Sequence, residues 1–474
     1  MHKGHGWPVV LLHKVFSDVK TQQSGTGRDD YPEAGYAWYV VGVLTFAYMV
    51  SFLDRQVMAL LIEPIRHDLG LTDTQISLLL GLAFSIFYTL LGMPIGRLAD
   101  RASRRGIIAV GITIWCVMTA ACGLARNFWQ LFLARVGVGV GEAALNPSAL
   151  SMISDYFPRE RRGRAISVYN MGVALGAGIA YIVGGWIIGV VSSAPPLELP
   201  VVGQLFPWQT VFLVVGLPGL LIAILMATVR EPTRKGRITV TDAAGRQTEH
   251  ITIRQTLQFI LLRWRTYATH MLGMSVVTII GYGLFFWIPT TFIRTWGWAI
   301  TDISLAYGIV NLVCGPLGVI LAGNIADRRY QRGEKDSLMR TCLAFMLIFI
   351  PASAAAPLMP TGELAIAVLL PSAIGGAAVT ATGAAALMMY TPNQLRAQVT
   401  ALYYFVINVL GLTLGPTAVA LVTDYGFRED GALRYSLAIV CAGAGAFAVG
   451  FLVANLKFYR QSVMEMEQAE VRPH

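Results

Sequence analysis

A chain of 474 residues that is 55% hydrophobic and only 13% charged, with a mean hydropathy of +0.59, cannot clothe a water-soluble surface. Its net charge of +9 would suit nucleic acid in a soluble protein, but here the basic residues sit in short loops between apolar runs, where they orient a chain in a membrane. No nucleic-acid partner is expected, and the scattered cysteines and histidines hold no metal-ligand spacing, so neither metal nor cofactor is expected.

In chain order, residues 1–35 are polar apart from a short apolar patch at 9–12, and read as a disordered cytoplasmic tail. Apolar runs then predict spans at 37–61, 75–96, 107–124, 128–150, 165–190 and 209–229. A polar interval follows, with Arg230, Arg234, Lys235 and Arg237 early and Arg263 and Arg265 late. Within it ITIRQTLQFILLRWR at 251–265 is amphipathic and basic, a helix expected to lie on the cytoplasmic interface. Six more spans are predicted at 266–292, 303–325, 337–358, 363–389, 397–423 and 434–456. The fold class is therefore an all-α membrane protein of twelve transmembrane helices in two six-helix bundles, 36–230 and 266–458, joined by a linker at 231–265 and closed by a tail at 459–474.

The positive charge falls on the loops after the even spans: Arg97, Arg101, Arg104 and Arg105; Arg159, Arg161, Arg162 and Arg164; the central cluster; Arg328, Arg329, Arg332 and Lys335; and Arg396. The other loops carry few, such as Arg66, Arg126 and Arg428. This asymmetry puts both termini in the cytoplasm, and the expected location is the plasma membrane, in a bacterium the inner membrane. The halves also repeat: GRLADRASRR at 96–105 returns as GNIADRRYQR at 323–332, and PRERRGRA at 158–165 returns weakly as PNQLRAQV at 392–399. A duplicated six-helix unit predicts pseudo-symmetric bundles and alternating access to a central site.

The GRLADRASRR segment resembles the signature of the major facilitator superfamily, and its second copy keeps Gly323, Ala326, Asp327 and Arg328. The resemblance implies a cytoplasmic gating role for Gly96, Asp100, Arg101, Arg104 and Arg105, and for Asp327 and Arg328. FLDR at 52–55, RVGVGVGEAALNPSA at 135–149 and DYFPRERRGRAISVYNMGVALGAGIAYIVGG at 155–185 are similar to the spinster branch of that superfamily, as is the run at 208–236. That kinship implies an exporter of lysolipids or sphingosine phosphates, proton-linked or facilitative. The glycine run at 137–141 lies inside an apolar span, so it reads as helix packing and not as a dinucleotide turn. Gly172 and Gly176, and Gly411 and Gly415, read likewise as helix-contact and rocking surfaces.

Charges inside spans cost about 2.5–3.5 kcal/mol each and mark pathways. Spans one and four nevertheless hold Asp54, Arg55, Arg135 and Glu142. Counting roughly 1.5 Å per residue from the outer face sets Asp54 and Arg135 level, about 10 Å deep, where they are placed to pair. Glu142, almost two turns from Arg135 on the same face, lies deeper. Asp54 and Glu142 are thus the expected proton-coupling acids, with Arg135 alternating between a carboxylate and an anionic headgroup. Arg55, next to Asp54, must point elsewhere on the helix and is a further candidate for substrate.

The second half carries few charges in its spans; Tyr282, Trp287, Asn311, Tyr403 and Asn408 are its candidate cavity residues, and His270 enters a span. A charged half facing an apolar half suits a substrate with a polar head and a greasy tail, in agreement with the lipid that the resemblance implies; protons and membrane lipids are the other expected partners, and a monomer the expected state. A drug or small organic-anion carrier is the alternative; a membrane enzyme or sensor is a distant one, for the loops show no nucleophile–base pair or phosphate-binding turn.

Overall fold

The computed structural model describes residues 31–471 apart from 100, 201–202, 235–239, 242–246, 249–252 and 393. Asp100 of the gating set, Lys235, Arg237 and most of the N-terminal tail lie outside the described residues.

Among the described residues eleven helices are long and apolar enough to cross a membrane, from Ala34–Leu60 to Asp430–Gln468. The remaining crossing, span four, comes in two pieces, Phe128–Glu142 and Leu145–Tyr156. Its break has a local cause. Pro147 has no N–H to donate and its ring crowds the carbonyl four residues back, at Ala143. Ala144 bonds instead to Gly141 in a tighter turn. The break falls directly after Glu142. Twelve crossings in two sets of six bring the first and last described helices, which begin at Ala34 and end at Val471, back to one face, the arginine-rich one.

Several helices overrun the sequence-read spans, most clearly Ile300–Gln331 and the last helix, Leu433–Val471. Hydropathy registers only the part in oil, whereas the helix continues into water with charged residues. Other ends are set by local chemistry. Thr72 and Gln75 form a reciprocal capping box at the start of span two, and Asn127 caps span four through the Gln130 N–H at 3.0 Å. Two short antiparallel strand pairs, Glu198–Leu199 with Gly203–Gln204 and Val240–Thr241 with Gln247–Thr248, lie in loops.

The bundles meet along two seams, span two against span eleven and span five against span eight. The seams are close because small residues line them. A Cβ on Gly178 would lie 2.8 Å from the Gly308 carbonyl, and one on Gly189 would lie 2.9 Å from the Thr301 methyl. Gly185 is packed against Ser304, and Gly81 against the Leu412 carbonyl. The glycines singled out from sequence serve contacts within bundles: Gly137 and Gly141 face span three, Gly172 and Gly176 face span one, and Gly411 and Gly415 face span seven. They are not the rocking surface.

The polar bonds between bundles gather on the outer side. Arg294, at the outer end of span seven, binds Glu63 at 2.7 Å and Asp73 at 2.7 and 2.8 Å. Arg66 binds Asp430 at 2.6 Å, and Thr74 donates to Asp424. Deeper, Ser77 and Ser85 bond to Thr417 and Thr413, and Tyr181 donates to the Phe285 carbonyl. At the cytoplasmic ends, Arg104–Glu231, Arg263–Glu465 and Lys335–Glu467 each stay within one half of the chain. Among the described residues, the ion pairs that join the two bundles therefore lie on the outer side.

Candidate functional site

The four intramembrane charges converge where spans one, two and four cross. Neighbours on a helix point about 100° apart, so Asp54 and Arg55 serve different surroundings. Arg55 reaches span four, where its Nε donates to Glu142 Oε2 at 2.7 Å and its Nη2 pairs with the same oxygen. Its guanidinium lies over the rings of Phe84 at 4.7 Å, Tyr88 at 4.9 Å and Phe52 at 5.2 Å. The pair is lopsided: the Arg55 side chain is 14% exposed and that of Glu142 1%. Arg55 is the member that keeps accessible surface.

The expected Asp54–Arg135 ion pair does not form. Arg135 is buried, its Nη1 reaches the backbone carbonyl of Asp54 at 3.5 Å, and its Nε reaches that of Leu79 at 3.4 Å. The guanidinium does arrive beside residue 54, but closeness along the helix says nothing of azimuth. The Asp54 carboxylate faces away, and among the described residues neither of its oxygens has a hydrogen-bond partner. Nor does Arg135 lie between the two acids as a shared partner; Arg55 holds Glu142.

Phe84 joins the two halves of the constellation, with Arg55 on it at 4.7 Å and Arg135 at 5.6 Å from the ring centre. The ring gets there because Gly139 leaves room: a Cβ at that position would stand 2.6 Å from the Phe84 carbonyl. Sequence reading missed Phe84, although an aromatic residue one helix away from two intramembrane arginines is a natural cation-π partner.

Tyr48 and Tyr169 stack 5.0 Å apart on the first bundle's wall, and Tyr169 donates to Asn146 at 3.3 Å. In the second bundle Tyr282 donates to Asn408 at 3.3 Å, so these two predicted residues do come together. The other three do not join them. Trp287 is fully buried and donates to the Pro416 carbonyl at 2.9 Å, pinning span seven to span eleven. Asn311 bonds back to the Tyr307 carbonyl of its own helix at 2.8 Å. Tyr403 is buried against His270, whose Nδ1 shares a 2.9 Å hydrogen bond with Tyr390.

Among the gating residues, Arg104 is a buried pin of the first bundle. It bonds to Asp155, to Glu231 at 2.8 Å, to Ser151 at 3.0 Å and to the Pro232 carbonyl at 3.0 Å, tying the cytoplasmic ends of spans three, four and six. Glu231 is pushed up by burial, yet bonds from Arg104, the Arg105 N–H and Ser103 prevail and hold it below the ordinary glutamate range. Arg105 also donates to the Val229 carbonyl. Arg101, Asp327 and Arg328 are exposed. Gly96 meets only Pro147, at an ordinary 3.8 Å, and Gly323 meets nothing within 4 Å.

Two helical bundles joined by ion pairs on one side, with an arginine–glutamate pair buried among the spans of the first, fit a membrane transporter and not an enzyme. Residues 44–416 match the family model of the Major Facilitator Superfamily. The chain belongs to that superfamily and is an integral membrane protein. It is similar to an MFS-type efflux pump of Mycolicibacterium smegmatis, 28% identical over 435 residues that cover 90% of this chain and 95% of the pump. It is also similar to a probable L-galactonate transporter of Escherichia coli, 28% identical over 290 residues covering 60% of each chain. Among solved structures it resembles a bacterial homologue of the human lysosomal transporter spinster in an inward-facing, unoccupied conformation. That likeness has a TM-score of 0.74 and 27% identity, and covers 94% of this chain and all of the other.

Proposed function

We propose that the chain is a proton-coupled transporter of an amphipathic substrate with an anionic head, of the lysolipid or sphingosine-phosphate kind, moved by alternating access. The observation that carries this is the lopsided Arg55–Glu142 pair: a partly exposed guanidinium ringed by Phe52, Phe84 and Tyr88, its carboxylate partner sealed behind it. A head group binds Arg55 in place of Glu142, and Glu142 then takes a proton, since an unpaired buried carboxylate is costly. Asp54, buried and without a hydrogen-bond partner, is the second proton site. The stacked Tyr48 and Tyr169, with Tyr282 opposite, give the tail an aromatic wall. Arg135 holds the backbones of spans one and two in place for this exchange. Gly96, Arg101, Arg105, Asp327 and Arg328 come together when the cytoplasmic side closes. One chain contains both bundles and the chamber, which supports action as a monomer.

A second reading, a small organic-anion carrier, draws on the same arginine and on the likeness to a probable L-galactonate transporter. Uptake into liposomes containing purified protein separates the two, with lysophospholipids, sphingosine phosphate, a sugar acid and a cationic dye as substrates, with and without a pH gradient. The lipid reading expects lysolipid flux that rises with the gradient and is lost in Arg55→Ala and Glu142→Gln. Flux of the sugar acid alone moves the assignment to the second reading. Proton-coupled flux unchanged in Asp54→Asn, Arg55→Ala and Glu142→Gln would end both.

A further inference from the structure

The linker helix Ile253–Leu262 has three faces. Thr256 and Phe259 turn into the second bundle, where Thr256 donates to Gln398 at the start of span eleven, and Arg263 just beyond pairs with Glu465 of the last helix. Ile253, Leu257 and Leu261, at helical spacing, form a second face and are 54%, 46% and 67% exposed. Arg254 and Gln258 occupy the third and are exposed. Trp264 follows at the entrance to span seven, also exposed, with the Arg265 guanidinium over its ring at 5.6 Å and over Phe458 at 5.8 Å. Lys457 is exposed beside Phe458 on the last helix.

We infer that this helix and its surroundings are a docking surface for anionic phospholipid of the cytoplasmic leaflet. Three observations select a bilayer surface as occupant. The apolar stripe lies on a helix outside the spans, at the level where the arginine-rich ends meet the headgroups, so its neighbour is lipid and not bulk water. An exposed tryptophan with an arginine stacked on it is the pairing that anchors a chain at that level. Lastly, the charge is uncompensated: Arg254, Arg265 and Lys457 form no ion pair with another described residue, and Arg254 sits in the first turn of a helix with no acidic residue there. A cation at a helix N-terminus opposes the helix dipole, and a lipid phosphate beside it removes the conflict. The surface is independent of what the chamber carries.

Hydrogen–deuterium exchange of the full chain in nanodiscs tests it, with phosphatidylcholine alone against equal parts phosphatidylcholine and phosphatidylglycerol. Anionic lipid slows exchange across 253–262 roughly thirty- to hundredfold, the scale expected for two or three cations at an anionic surface. Raising the salt removes the slowing in the unaltered protein. The variant Arg254→Gln/Arg265→Gln/Lys457→Gln no longer responds, Arg254→Lys/Arg265→Lys does, and exchange in spans one to six stays the same in all of them. Equal exchange in both lipids, a response kept by the triple glutamine variant, or the same slowing by free glycerol phosphate over phosphatidylcholine overturns the assignment.

Discussion

Removing the Arg294 guanidinium should turn the transporter outward. Its three bonds, at 2.7, 2.7 and 2.8 Å to Glu63 and Asp73, join the two bundles, and the Arg294 and Asp73 side chains are 8% and 0% exposed. In an outward-open state the partners separate into water and the bonds contribute little, so nearly all of their strength bears on the conformational equilibrium. Stripping one partner from a buried pair costs about 3–5 kcal/mol. Arg66, with Nε 3.2 Å from Asp73, stays as a second cation and puts the loss at the lower end. About 3 kcal/mol is roughly a hundredfold change in the inward-to-outward ratio. The assay is a spin-label distance between cysteines placed at Leu197, after span five, and Tyr425, in the helical turn that ends span eleven of the other bundle, both exposed, the five native cysteines being buried. Arg294→Ala and Asp73→Asn should each shift the distribution to longer distances while the protein still elutes as a folded species. A distribution identical to that of the unaltered protein in both variants refutes the latch.

Three further outcomes follow from the packing. Gly139→Val drives a side chain at the Phe84 carbonyl, and should lower the thermal midpoint by an amount equivalent to about 1–3 kcal/mol and weaken transport. Pro147→Ala restores a donor and lets span four run through Ala143; circular dichroism should show no loss of helix, while transport falls about tenfold or more because Glu142 is re-aimed. Glu231 has its carboxyl held below the ordinary glutamate value of 4.5, so its contribution to stability is complete above that value and lost as the pH falls beneath it. Thermal unfolding against pH should therefore fall off on the acid side in the unaltered protein, and less steeply in Glu231→Gln.

The membrane class, the number of crossings and the duplicated halves were legible because lipid imposes length and hydropathy on each span separately, with no long-range information needed. The ionisable residues of the site were legible for the same reason: Asp54, Arg55, Arg135 and Glu142 stand out against oil. Which of them pair was not. Pairing depends on how each helix is turned about its axis, and on the reach of a long side chain, and neither has a sequence period in helices that are apolar nearly all round. That is why Arg55, and not Arg135, is the arginine found paired with a carboxylate. Trp287 and Asn311 went astray differently, since a polar atom in a span is satisfied as readily by a nearby carbonyl as by a chamber. The inter-bundle glycines at 178, 185 and 189 left one trace, a small residue at the spacing that returns to one helix face, which competes with many similar spacings in a chain with 48 glycines.

The proposed site also fixes the sign of coupling. Arg55 and Glu142 neutralise each other, so an anion that takes Arg55 leaves Glu142 as a buried carboxylate without its cation, and a proton that takes Glu142 leaves Arg55 free. Each event favours the other, and by linkage the effect is mutual: an anionic head group binds more tightly as the pH falls, and the proton and the anion travel together. A cationic substrate reverses this, because it competes with the proton for Glu142 and binds more tightly as the pH rises. Titrating binding of a lysolipid and of a cationic dye against pH thus distinguishes the two charge classes from one pair of residues. In Glu142→Gln the pH-dependence should vanish for the anion while its binding persists, since Arg55 no longer has a carboxylate to give up. Anion binding that stays as steep in pH in that variant would place the coupling proton elsewhere, with Asp54 as the remaining acid in the constellation.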